Sequence, residues 1–170
     1  MTLGLYENFP AEKIHRLETF NSTLSTKHLQ QKLIQILYEA NRREFCFEEV
    51  ANPTMPEGKV IFEFGLADAE SFNYIDEEEL KRALNFLDKE RVHTLDFFCA
   101  IRYYKGSGEK KSALKFDYYL LRTIFSKDTL EVQVFHERGP RYVSPEDLVT
   151  VIEDKLNEGS ARKILKKIES

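Results

Sequence analysis

Polar and apolar positions change period several times along this chain, and each change marks an element. After Pro10, a residue tolerated in a first helical turn, Ile14, Leu17 and Phe20 recur every three residues. They predict a first helix, which Asn21-Ser22-Thr23 interrupts. Ser25 or Thr26 caps a second helix carrying Leu29, Leu33, Ile36, Leu37 and Ala40 in one stripe. The period then drops to two. Phe45 and Phe47 make a short strand, and residues 51–58, with two prolines, make a loop. Val60, Phe62, Phe64 and Leu66 alternate with Lys59, Ile61, Glu63 and Gly65 as a second strand.

Asp76 and Glu79 have the spacing of a capping box, and Ile75 and Leu80 that of a hydrophobic staple. They start a third helix that buries Leu80, Ala83, Leu84 and Leu87 and stops near Glu90. Three long strands follow. His93, Leu95, Phe97, Cys99, Ile101 and Tyr103 share one face of the first. Residues 105–111 are read as a flexible hairpin loop. Leu114, Phe116, Tyr118, Leu120 and Ile124 share a face of the next strand, with Arg122 its one charged member. A tight turn at residues 126–128 leads to Leu130, Val132, Val134 and His136. Ser144, Pro145 and Asp147 open a fourth helix with Leu148, Val151, Ile152 and Leu156 inward. Ser160 opens a short last helix with Ile164, Leu165 and Ile168 inward.

The expected order is α-α-β-β-α-β-β-β-α-α in a single α+β domain spanning residues 1–170. One antiparallel sheet of about five strands would carry its helices mainly on one face. Tyr119, Leu121 and Phe125 lie opposite Leu120, which puts apolar area on the second face too. Either the terminal helices or a second subunit is expected to cover it.

Composition narrows the function classes. Thirteen Phe and eight Tyr against seven Gly and five Pro exclude disorder. Apolar runs are too short for a membrane span. A net charge of −4 argues against a general phosphate-backbone binder. Two cysteines make no secreted disulfide framework and the first residues no signal peptide, so a cytoplasmic protein is expected. Glu outnumbers Asp 21 to 8 and there are only four Gln, a balance that fits a heat-stable origin.

Charge is segregated. Residues 60–80 hold seven acids and no Lys or Arg, whereas Arg102, Lys105, Lys110, Lys111 and Lys115 cluster about the hairpin. Tyr103, Tyr104, Tyr118 and Tyr119 flank those bases, the mixture that binds single-stranded nucleic acid. His136, Glu137, Arg138 and Arg141 form the densest run of chemically capable side chains, at a strand end. None of the four histidines has a partner at metal-ligand spacing, and no nucleophile elbow or phosphate loop is present, so no metal, cofactor or catalytic set is assigned.

Residues 59–64, 116–122 and 136–142 resemble an uncharacterised family of hyperthermophilic archaeal proteins, a resemblance that implies no activity and no site residues. The element order is also similar to secretion-chaperone-like domains, small α+β proteins that dimerise and hold other chains. Those place three strands before the middle helix and two after it, where this chain is read with two and three.

The leading expectation is a non-enzymatic protein-interaction domain, a homodimer with Tyr104, Tyr119, Leu121 and Phe125 at its interface. The alternatives are nucleic-acid binding through residues 102–115 and an enzyme centred on His136.

Overall fold

The computed structural model describes residues 3–51, 58–105 and 112–168. Among them are eight strands and three α-helices: β1 (Arg16–Ser22), α1 (Thr26–Ala40), β2 (Glu44–Cys46), β3 (Gly58–Asp68), β4 (Ser71–Tyr74), α2 (Glu77–Lys89), β5 (Thr94–Lys105), β6 (Ser112–Ser126), β7 (Thr129–Arg138), α3 (Pro145–Asn157) and β8 (Leu165–Lys167). The strands form one antiparallel sheet in the order β2-β3-β5-β6-β7-β1-β8, with β4 paired to β3. The class is α+β, but the sheet has eight strands rather than five and the element order differs from expectation. No helix among the described residues is long and apolar enough to cross a membrane.

Start signals are obeyed at all three helices. Ser25 Oγ accepts from His28 N–H, Asp76 from Glu79 N–H, and Ser144 from Asp147 N–H. Asp147 completes the box on α3 by accepting from Ser144 N–H. On α2 the Glu79 carboxylate turns instead to Arg82, with two 2.8 Å bonds, so that box stays half made. Helix α1 packs on α2, α3 and β3, and α3 packs on β7, β1 and β8. Beneath them Phe20, Phe62, Phe64, Phe97, Leu121, Phe125 and Val134 join one core with the inward helical residues.

Three expectations are corrected. The helix expected after Pro10 is the strand β1, whose inward residues are Glu18, Phe20 and Ser22, while Leu17 is 47% exposed. A three-residue spacing of apolar groups fits a helix, but pairing with β7 satisfies the backbone here. The last expected helix is β8, which extends the sheet beside β1. Third, the two faces of β6 are exchanged. Tyr119, Leu121 and Phe125 are at most 1% exposed, opposite Cys99, Phe97 and the start of β7, whereas Phe116 and Tyr118 face away from the helices. Both sets are apolar, so register with β5 decides which lies under the helices.

Within the chain, the segment before β1 covers part of the outer face. Gly4 N–H donates to Ala67 O at 2.7 Å and Asp96 N–H to Gly4 O at 2.6 Å, wedging the segment between β3 and β5. Asp96 is fully buried there. It accepts two 2.8 Å bonds from Arg122 and one from Tyr6 N–H, and the Arg122 guanidinium lies 4.4 Å from the Phe9 ring centroid. Arg122 is thus the partner of a buried acid and not an exception on a core face.

Candidate functional site

Two groups of side chains stand apart from the general core, and a bulge in β7 separates them. Tyr119 pairs with His136 but Tyr118 pairs with Arg138, so Glu137 is an extra residue. The bulge reverses the alternation. His136 points under the helices, while Arg138, two positions on, points to the outer face.

The inner group is a closed polar network. Asp117, fully buried, accepts from Tyr103 Oη–H, from Arg141 N–H at 2.8 Å and from His136 Nε2 at 2.8 Å. The Arg141 guanidinium can only donate, and its Nε lies 3.1 Å from His136 Nδ1. Nδ1 therefore accepts, and the ring proton sits on Nε2, directed at Asp117. Tyr103 Oη also accepts from Val143 N–H at 2.9 Å, and Tyr119 Oη–H donates to Val143 O at 2.6 Å. Val143 precedes the Ser144 cap, so the network anchors the start of α3 to β5, β6 and β7. Burial, and for Tyr103 also the bond to Asp117, pushes both phenols far above their ordinary range.

Gly139 makes this packing possible. It has φ +119°, and a Cβ there would overlap Asp117 Oδ1 and the Phe116 carbonyl. His15 closes the outside of the network, its Nδ1 accepting from His136 N–H at 3.0 Å. Partial burial first, then the nearby Arg141 and His136, hold its imidazole below the ordinary histidine value.

The outer group is a row of rings. Centroids run Tyr6 to Phe72 at 4.7 Å, Phe72 to Phe98 at 5.7 Å, Phe98 to Tyr118 at 5.3 Å and Tyr118 to Phe116 at 4.8 Å. The row crosses β4, β5 and β6 on the face away from the helices, with Phe116 40% exposed at its end. Beside it lies an open cleft of about 400 Å³ lined by Lys115, Phe116, Arg138, Gly139 and Pro140. The Arg138 guanidinium sits 5.6 Å from the Tyr118 ring centroid.

The expected site residues therefore divide. Tyr119, Leu121 and Phe125 are interior, so no partner reaches them in this fold; of the four interface candidates only Tyr104, half-buried, keeps to the outer face. Arg102, Lys105 and Lys115 are exposed near the cleft end of the sheet, Arg102 paired with Glu63. Lys110 and Lys111 lie outside the described residues. Glu137, Arg138 and Arg141 are exposed; His136 is 9% exposed with both ring nitrogens engaged. Sequence reasoning missed Asp117 and Asp96. The available signal was a single acid inside each of two strongly apolar strands.

Among the described residues no group of three or more His, Cys, Asp or Glu side chains is placed to hold a metal ion. Comparison of the chain with protein-family models, curated proteins and solved structures finds no match.

Proposed function

We propose that this chain is a protein-interaction module that self-associates through the outer face of its sheet. The ring row from Phe72 through Phe98 to Tyr118 carries this reading. It lies outside the helix-covered core and is only partly screened. Contiguous apolar surface that a fold leaves partly open is characteristic of a contact site. The polar network gives secondary support, because its hydrogen bonds join strands to the start of α3 and leave His136 no free ring nitrogen for proton transfer.

Light scattering after size exclusion, at low and high salt, tests the reading. The wild-type chain is expected at twice the monomer mass under both conditions, since apolar contacts are not screened. Phe72→Ser with Phe98→Ser should return it to the monomer with unchanged circular dichroism. A wild-type monomer at high micromolar concentration overturns the proposal, as does a dimer that survives both substitutions.

A further inference from the structure

We infer that the cleft at the Phe116 end of the outer face is a binding site for single-stranded nucleic acid. The cleft adjoins the ring row at Tyr118, but the inference rests on the cleft's own lining residues. Phe116 offers an exposed ring, tilted by 32° against Tyr118 with centroids 4.8 Å apart, as a platform for a base. Pro140 supplies a second apolar wall, and Gly139, without a side chain, leaves the turn between them low. Lys115 and Arg138 stand on the cleft lining, where they can meet phosphates on either side of a stacked base. Rings set among cations are what sequence-tolerant single-strand binders use: every base has a face to stack, and every nucleotide a charge to neutralise.

Charge complementarity selects this occupant over an apolar one. The chain as a whole carries −4, yet this end of the sheet gathers Arg102, Lys105, Lys115 and Arg138. Their availability is not equal. Arg102 is tied to Glu63, whose carboxylate holds its guanidinium above even the ordinary arginine value, so it contributes little. Arg138 meets Glu137 only at 3.7 Å, and both side chains are well exposed, a contact worth little in water. Lys115 and Arg138, both on the cleft lining, are therefore the phosphate contacts. A duplex is a poor fit, because its bases are already stacked and cannot reach Phe116.

Fluorescence anisotropy with labelled oligo(dT) and oligo(U) of about 10 nucleotides tests the proposal. Two phosphate contacts predict a slope of log K against log salt of about −1.4, a loss of roughly sevenfold between about 50 and 200 mM salt. Phe116→Ala should weaken binding by at least about fivefold with little change in that slope, because it removes stacking and no charge. Arg138→Ala should weaken binding and flatten the slope by roughly 0.7. Both side chains are exposed, so both variants should fold, which circular dichroism checks. Lys81→Ala, at the exposed start of α2, serves as the control and should change nothing. Absence of binding at about 50 mM salt overturns the proposal. So does binding indifferent to Phe116→Ala, or equal binding of poly-glutamate, which would mark the cleft as a contact for an acidic protein.

Discussion

Replacing Asp117 by asparagine removes a buried charge and turns one acceptor into a donor. The amide oxygen can still accept from His136 Nε2–H and Arg141 N–H, which share Oδ1. The amide nitrogen then faces Tyr103 Oη, whose oxygen already accepts from Val143 N–H. The Tyr103 proton loses its acceptor inside a buried network. One buried unsatisfied donor costs about 1–3 kcal/mol, and hydrogen bonds to a charged group exceed neutral ones by about another 1 kcal/mol each. Asp117→Asn should therefore destabilise the chain by about 3–5 kcal/mol, lowering the midpoint of thermal unfolding by about 10 °C for a chain of this size. Tyr103→Phe alone leaves Val143 N–H without an acceptor, at about 1–3 kcal/mol. In the double variant the stranded phenol proton is gone, so the two effects should fall short of their sum by about 1–2 kcal/mol. Urea unfolding of the four chains, followed by far-ultraviolet circular dichroism, measures the cycle. A loss below about 1 kcal/mol for Asp117→Asn, or additivity within about 0.5 kcal/mol, would refute the network as described.

Further outcomes follow from neighbouring geometry. Gly139→Ala forces both a left-handed φ and an overlap with Asp117, and should cost about 2–4 kcal/mol in the same unfolding assay, against about 1 kcal/mol for Gly159→Ala, which has a positive φ but no atom within 4 Å to meet. The His15 imidazole is held below its ordinary value of 6.5, so the unfolded chain binds the proton first as pH falls. Stability should decline as pH drops below that value, and His15→Gln should reduce the slope in pH-dependent melting; an unchanged slope would detach His15 from the network. In the native chain a thiol reagent should modify Cys46 quickly and leave Cys99 untouched until denaturant is added, because burial raises the Cys99 thiol well above its usual range. Equal rates for both would contradict the packing around β5.

Much of the fold was legible locally. The three helices carry their start signals within four residues each, at Ser25, Asp76 and Ser144, because a cap bonds the backbone of the turn it begins. Strands β3, β5 and β7 alternate cleanly enough to assign their inward sides. Short elements were illegible for the opposite reason. β4 and β8, at four and three residues, are too brief for a period to show, and they exist only because β3 and β1 offer free edges. β1 failed differently: its inward Glu18 is paired with Arg16 and Lys167, so a charged residue occupies a position that alternation reserves for an apolar one.

The candidate sites show the same division. That residues 102–116 are basic and aromatic, and that residues 136–141 hold the most reactive side chains, is written in the chain. Which of them meet is not. Rings on both sides of β6 leave its orientation undetermined until β5 and β7 set the register and the helices cover one side. One extra residue at Glu137 then sends His136 inward to Asp117 and Arg138 outward to Phe116 and Tyr118, dividing a single run of sequence between core and surface. The sequence by itself determined the class of fold, the helix starts and the stock of chemical groups, since these depend on neighbours a few residues away. Tertiary structure alone decided which face of each strand is interior and which groups share a site, because those depend on pairing between strands distant in the chain.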